Sequence, residues 1–405
     1  MAHSTDSELQ AFPFGCPRSG PFDPPHEERA YRLSTPMSRV GLPGGGVTWL
    51  AARHADVRQV LRDPSFSADI TAPGFPLVGP VPPQDDKSRA GAFIRMDPPE
   101  HTLYRRLLTP EFMVKAVQRL EPLIVQTVDR FLDELEAAGA PADFVEHFAL
   151  PVPSMVISHL LGVPYEEHEF FQRNSHTLLD NHAAPEAMMA AMGDLRESLG
   201  KLVELKRREP ADDLTSRLAQ QLDAGTLTHD DVVGVALLLL IAGHETTANM
   251  LGLGTFLLLR SHPEEWAALV TRPERAPALV DELLRYLTIV HHGLPRIATR
   301  DVQVGEQLVR AGEGVIVLLS AANRDAAVFA DPDRFDVDRG AQQHVSFGFG
   351  MHQCIGQPLA RAELRIAFTR LAARLPGLAL APEAGQTVLR PDSFIYGVHK
   401  LFVRW

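Results

Sequence analysis

The sequence predicts a mainly α-helical protein with small β-sheets, and three observations predict it. From Pro98 onward apolar residues recur at helical spacing, in PPEHTLYRRLLTPEF and then VKAVQRLEPLIVQTVDRFLDELEAAG, and amphipathic segments continue through Tyr165–Leu222. The stretch TLTHDDVVGVALLLLIAGHETTANMLGLGTFLLLR is apolar on all faces, which places a helix in the middle of the protein. After Arg300 the chain becomes β-rich in short pieces, interrupted by one helix.

The elements follow in order. A turn at LPGGG precedes VTWLAAR, which reads as a strand, and a proline-studded loop runs from about Thr71 to Pro83. The portion from about 24 to 95 is therefore β-rich and the remainder helix-rich, all within one domain spanning 1–405. The central helix has Thr228 as its N-cap and Asp230 and Asp231 in its first turn, and it runs to about Arg260, roughly 45 Å at 1.5 Å per residue. Its apolar run Val232–Gly243 is short of the roughly 20 residues of a membrane span, so it reads as a buried helix. The later strands lie in DVQVGEQLVRAGEGVIVLLS, QTVLRP and IYGVHKLFVRW, and the late helix in QPLARAELRIAFTRLAARL.

Composition narrows the function classes. Apolar residues at 45% and charged residues at 22% of 405 are those of an ordinary globular chain. Lys and Arg number 39 against 51 Asp and Glu, a net charge of −12, which disfavours nucleic acid or an anionic membrane as partner. Two cysteines, Cys16 and Cys354, cannot form a disulfide framework, and the N-terminus has neither the basic start nor the apolar stretch of a signal peptide. A cytoplasmic protein is expected.

Cys354 lies in SFGFGMHQCIG, where it can be a packed core residue, a nucleophile served by His352, or a metal ligand. The surroundings favour the ligand. Gly348, Gly350 and Gly356 let the backbone approach a large flat object, and a helix starting near Gln357 brings the positive end of its dipole to the thiol, which lowers its pKa. FGFGMHQCIG resembles the haem-binding loop of the cytochrome P450 family, with Phe347, Gly350, Cys354 and Gly356 all in register. The resemblance implies the cytochrome P450 fold, with haem b between the long central helix and the cysteine loop. It also implies Cys354 as axial iron ligand, Phe347 and Gly348 beside the haem, and a thiolate that donates charge for O–O cleavage.

Three more constellations fall in family order. AGHETT supplies the acid–alcohol pair Glu245 and Thr246 in the central helix, with Ala242 and Gly243 facing the same side. A mid-helix Thr can also simply bond back to a carbonyl, but a buried Glu needs a cavity, water or a partner. The zinc-protease pattern His-Glu-x-x-His fails here, because Ala248 stands at the fifth position. DELLRY offers Glu282 and Arg285, a spacing repeated at Glu204 and Arg207 and so uninformative alone; the family gives Glu282 and Arg285 a structural role with an arginine like Arg334 or Arg339. His101, Arg105, Arg296 and His352 match the family's positions for holding the haem propionates.

The resemblance spans about Pro24 to Trp405 and is nearest to soluble bacterial hydroxylases of macrolides, polyenes and xenobiotics, through RYLTIVHHG, AGEGVI and YGVHKLFVRW. It implies a monomeric monooxygenase of secondary metabolism that hydroxylates or epoxidises an apolar small molecule, such as a polyketide, macrolide or terpenoid. O2 is the oxidant, and a ferredoxin with its ferredoxin reductase supplies two electrons, docking over Arg105, Arg106, Lys115, Arg361 and Arg365. The substrate pocket is expected at Leu238, Val290, His291, His292, Leu294 and Ile395. A ligand-binding haem sensor would not need Glu245 and Thr246, and a cysteine hydrolase would need an oriented His–Cys pair; a peroxide-driven peroxygenase is the alternative within the haem class.

Overall fold

The computed structural model describes residues 9–13, 18–78, 86–391 and 393–405. Cys16 and part of the proline-studded loop lie outside them. In chain order the first helices are α1 (His26–Ser34), α2 (His54–Arg62), α3 (Asp86–Arg89), α4 (Glu100–Phe112), α5 (Val114–Ala138), α6 (Pro151–Leu161) and α7 (His168–Leu179). They continue with α8 (Pro185–Arg208), α9 (Leu214–Asp223), α10 (His229–Ser261), α11 (Pro263–Thr271), α12 (Ala276–Leu287), α13 (Leu319–Ala322) and α14 (Gln357–Arg374). The strands are β1 (Met37–Gly41), β2 (Val47–Ala51), β3 (Phe66–Ser67), β4 (Ala142–Asp143), β5 (Leu294–Ala298) and β6 (Val302–Val304). After them come β7 (Gln307–Val309), β8 (Gly314–Val317), β9 (Ala379–Leu380), β10 (Val388–Leu389), β11 (Val398–Lys400) and β12 (Phe402–Arg404).

The chain divides into two compact units. The first comprises Met1–Val81, Ile94–His101 and Asp281–Cys354. Its sheet has the order β1-β2-β8-β5-β3, so the N-terminal strands are completed by strands from the last third of the chain. The LPGGG turn joins β1 to β2 as expected, with Gly45 and Gly46 at φ of 84° and 88°, which glycine adopts without strain. β2 pairs parallel with β8 and β5 antiparallel with it. Along β8 the period-two alternation sends Val315 and Val317 into one apolar cluster with Val57, Leu61 and Val345, and Ile316 and Leu318 into another with Phe12, Val40 and Leu50. Both faces are covered, which is why these strands carry no polar alternation.

The second unit comprises Pro82–Phe93, Thr102–Val280 and Ile355–Trp405. Its axis is α10, 33 residues long, begun by a capping box in which the Thr228 hydroxyl accepts from the Asp231 amide and the Asp231 carboxylate accepts from the Thr228 amide. This helix is long and apolar enough to cross a membrane, yet 67% of its most apolar window is buried inside the protein. Its glycines permit close packing: a Cβ on Gly243 would meet Ile157 of α6 at 2.7 Å, and one on Gly252 would meet Val398 of β11 at 2.5 Å. α14 lies along α5, joined by Arg365 to Glu121 at 2.6 Å, Arg370 to Asp129 at 2.7 Å and Arg374 to Asp133 at 2.8 Å. Small sheets β4-β12-β9 and β10-β11 complete this unit.

Candidate active site

The cysteine loop of the first unit is fixed from its own backbone. Gly348 N–H donates to Val345 O at 2.8 Å, Gln353 N–H to Gly350 O at 3.0 Å and Cys354 N–H to Phe347 O at 2.8 Å. These bonds end the loop with the Cys354 side chain exposed. Gly348 and Gly350 stand at φ of 69° and 74°, where a Cβ is strained. The space a Cβ on Gly350 would need is filled by Leu61 O at 2.4 Å, so this glycine admits the backbone of α2. Gly356 precedes α14 at φ −79°, an ordinary angle.

Behind the loop lies a buried ionic strut. The Arg285 guanidinium donates through Nε and Nη2 to the two Glu282 oxygens, each at 2.7 Å, both residues being fully buried. Its remaining donors go to Asn323 O, Pro332 O and Arg334 O. Asn323 carries the connection onward: its Oδ1 accepts from Val345 N–H at 2.7 Å and its Nδ2 donates to Ser346 Oγ at 2.8 Å. Of the two arginines that sequence offered to this pair, Arg339 supplies its Nε to Glu282 at 3.4 Å, whereas Arg334 contributes only its backbone carbonyl. Glu204 and Arg207, the same spacing elsewhere, are a surface pair.

The same unit contains an uncompensated buried cation. Arg296, on β5, is 6% exposed, and its guanidinium donates to Pro295 O at 2.7 Å. Among the described residues no carboxylate lies within ion-pair distance of it. Burial pushes its pKa down to about 10, with Asp97 opposing. The His101 and His352 rings lie 4.2 Å apart, and His101 N–H donates to the Asp97 carbonyl. Val290 and Leu294 pack with Phe349 against the apolar cluster of the sheet. The His291 and His292 rings meet at 4.6 Å, tilted by 48°; burial and the Arg18 guanidinium lower both, His292 to about 4, so both imidazoles are neutral.

In the second unit, α10 is buried from Val232 to Leu258 except on one side. Leu238, Ile241, Ala242, Gly243 and Thr246 keep access to solvent, with Leu238, Ala242 and Thr246 at the i, i+4, i+8 spacing of one helix face. The Thr246 hydroxyl donates back to Ala242 O at 2.7 Å, the local bond open to any mid-helix Thr. Glu245 points elsewhere: it is 3% exposed, and its Oε2 accepts from Arg390 Nη1 at 2.7 Å and from Asn249 Nδ2 at 3.3 Å. Burial alone would raise the Glu245 pKa, but Arg390, His244 and His176 hold it below the usual carboxylate value. Arg390 follows the short strand β10 in the QTVLRP segment expected as a strand, but nothing local marks it as a partner of Glu245, and reasoning from sequence missed it together with Asn249 and His176. Arg105 is half-buried on α4, and Ile395 is buried.

A thiol exposed at the end of a locked loop, with a buried guanidinium that makes no ion pair among the described residues in the same unit, suits a dianionic prosthetic group with a metal that thiolate binds. The residues present fit haem. The protein is a haem-dependent monooxygenase, an oxidoreductase.

The chain belongs to the cytochrome P450 family, whose model matches residues 51–270 and 276–375. It is 46% identical over 399 residues to cytochrome P450-SU2 of Streptomyces griseolus, covering 96% of this chain and 95% of that one. It is 47% identical over 389 residues to pentalenic acid synthase of Streptomyces avermitilis, covering 96% of each. Among solved structures it resembles mycinamicin VIII C21 methyl hydroxylase of Micromonospora griseorubida bound to mycinamicin VIII, with a TM-score of 0.91, 39% identity, and coverage of 98% of this chain and 100% of that one.

Proposed function

We propose that Cys354 is the axial ligand of the haem iron and that the substrate is an apolar secondary metabolite, hydroxylated or epoxidised with O2. The observation that carries this reading is the exposed Cys354 side chain in a loop fixed by its own amides and by the strut behind it. When bound, the haem supplies oxygen activation, and the thiolate supplies the charge that favours O–O cleavage.

Arg296, His101, His352 and Arg105 are the residues that hold the propionates. Phe347, Gly348 and Gly350 shape the loop under the haem, and Gly356 leads into α14. Ala242 and Gly243 leave room on the accessible stripe of α10. Thr246 holds a proton at its hydroxyl and Glu245 resupplies it. Leu238, Val290, His291, His292, Leu294 and Ile395 line the substrate side, and the neutral histidines make it hospitable to an uncharged molecule.

Electrons come from a ferredoxin and its reductase. Arg106 and Lys115 are exposed and available to an acidic partner, whereas Arg365 is already engaged by Glu121. The enzyme works in the cytoplasm as a monomer. A peroxide-driven route is the alternative, and the presence of both Glu245 and Thr246 favours O2.

The test is the absorption of the reduced, haem-loaded protein with carbon monoxide. The long-wavelength Soret band of thiolate-ligated haem is expected, and its complete loss in Cys354→Ser with the melting temperature retained. A variant that keeps the band removes Cys354 from this role.

A further inference from the structure

Arg18 ties the N-terminal segment of the first unit to the chain just ahead of Val290 and His291. The segment is rooted on β1, where Phe12 N–H donates to Gly41 O at 2.8 Å and the Phe12 ring packs with Val40, Leu50 and Ile316. Arg18 is 9% exposed; its Nη1 donates to Leu287 O at 3.1 Å and its Nη2 to Thr288 O at 3.0 Å. Leu287 ends α12, so one guanidinium takes the last carbonyl of the helix and the carbonyl of the turn that follows. The same guanidinium lies close enough to His291 and His292 to lower the pKa of both.

The stretch from Ile289 to His292 is bracketed by two left-handed residues. Gly293, at φ 70°, turns the chain into β5, and a Cβ there would meet Val317 O at 2.3 Å; glycine holds this angle without strain. Thr288, at φ 37°, is β-branched and does not. Such a residue keeps its angle where its surroundings hold it from several sides. The Thr288 N–H donates to Leu284 O at 3.2 Å, its hydroxyl donates to Arg285 O at 2.8 Å and accepts from Asn323 Nδ2 at 2.9 Å, and Arg18 takes its carbonyl. Asn323 also accepts from Val345 N–H and donates to Ser346 Oγ at the start of the cysteine loop. The Thr288 turn therefore shares its frame with that loop, and Arg18 acts on the carbonyl that leads into Ile289 and Val290.

We infer that Arg18 is a positioning residue for substrate: by fixing the plane of the Thr288–Ile289 peptide it holds Val290, His291 and His292 in register with the cysteine loop. The N-terminal segment thus sets the fit of the substrate. This rests on the reading of Val290, His291, His292 and Leu294 as the substrate side. Without Arg18, Thr288 is free to fall to negative φ and the peptide after it turns, so the stretch no longer presents one fixed surface. The cysteine loop keeps its own amide bonds and does not follow.

The experiment uses the haem-loaded enzyme and two azoles that bind haem iron through the same type of ring nitrogen and shift its Soret band. Imidazole needs little beyond the iron, whereas the phenyl ring of 4-phenylimidazole must also fit the substrate side. Arg18→Ala is expected to raise the Kd of 4-phenylimidazole about 10-fold and that of imidazole less than about 2-fold. Arg18→Lys, which keeps one charged donor where the fork has two, is expected to raise the former about 3-fold. Thr288→Asn places a residue that tolerates positive φ in the strained position, so adding Arg18→Ala to it is expected to cost no more than about 3-fold. In the haem-free protein, amide exchange of residues 289–292 is expected to rise about 10-fold or more in Arg18→Ala, with that of 347–354 unchanged. If Arg18→Ala does not load haem, Arg18→Lys and the exchange measurement decide.

Leu294→Trp, which narrows the substrate side directly, is expected to weaken 4-phenylimidazole and spare imidazole. Equal loss of both azoles in Arg18→Ala is the result of a purely structural role and overturns the inference. So does unchanged 4-phenylimidazole binding in Arg18→Ala when Leu294→Trp weakens it. Unchanged binding in Leu294→Trp overturns the reading of the substrate side and the inference with it.

Discussion

Glu282 and Glu245 are both buried glutamates that an arginine meets at 2.7 Å, but their surroundings differ. Arg285 is closed off: both partners are fully buried, and every guanidinium nitrogen is committed to Glu282 or to a backbone carbonyl. Arg390 is shared, one arm on the acid and the other on an exposed histidine, with its Nε left without a partner. A pair saturated by backbone has one arrangement and behaves as a strut. A pair whose arginine divides its donors between the acid, an amide and an exposed imidazole is held from one side only. The same two residue types thus give rigidity beneath the cysteine loop and adjustability beside α10.

The largest effect that sharpens this contrast is expected from Arg285→Ala. It removes both close guanidinium donors from the buried Glu282 carboxylate, leaving it Arg339 and the Asp336 amide, and takes the donor from Asn323 O and Pro332 O, at a cost of about 3–5 kcal/mol. Urea denaturation should show it, together with reduced haem retention because Asn323 and Ser346 lose their frame. A midpoint no lower than that of Arg390→Ala would erase the distinction.

Two other buried glutamates show what happens when no guanidinium donates directly. Glu28 accepts from Ser320 Oγ at 2.5 Å, and burial raises its pKa to about 7 against the pull of Arg18, Arg32 and Arg324. Glu363 on α14 is pushed well above the ordinary value by burial. For Glu28 the folded state keeps a proton that the unfolded chain loses above pH 4.5, so stability falls as pH rises from 4.5 to about 7. Glu28→Gln is therefore expected to exceed the wild type by about 2–3 kcal/mol above pH 7 and by little below pH 4.5, measured by denaturation at both ends. A pH-independent difference would show that Glu28 is ionised in the folded protein.

Glu245→Gln should cost little stability, since the amide oxygen still accepts from Arg390, but should slow oxygenation about 10-fold to 100-fold. Comparison of product formed and melting temperature with Glu282→Gln separates the two roles; equal stability losses would make Glu245 a strut as well. The smallest effect is expected from Ser346→Ala, which removes the hydroxyl that links Asn323 to Leu284 O, at about 1 kcal/mol. A loss well above that would mean that the cysteine loop depends on this one bond rather than on its amides.

Much of the architecture was legible because it is written locally. The capping box at Thr228 and Asp231, the all-round apolar α10, the turn at Gly45 and Gly46 and the start of α14 at Gln357 each depend on neighbours within a few residues. The cysteine loop was legible for the same reason, since its fixing bonds span a handful of positions. Even there, that Gly350 also accommodates Leu61 was not legible, because Leu61 arrives from far along the chain. The choice of Arg339 over Arg334 likewise depended on how the 330–340 segment turns back on α12.

The sequence by itself determined the residue types, the helical periods and the registered loop around Cys354, hence the family and its chemistry. Only the tertiary structure decided how each buried charge is satisfied. Arg390 lies 145 positions from Glu245 and His176 lies 214 from Arg390, and neither separation leaves a local pattern. A buried carboxylate must find a partner wherever the fold supplies one, and which partner it finds determines whether that acid is a fixed support or a site that takes up protons.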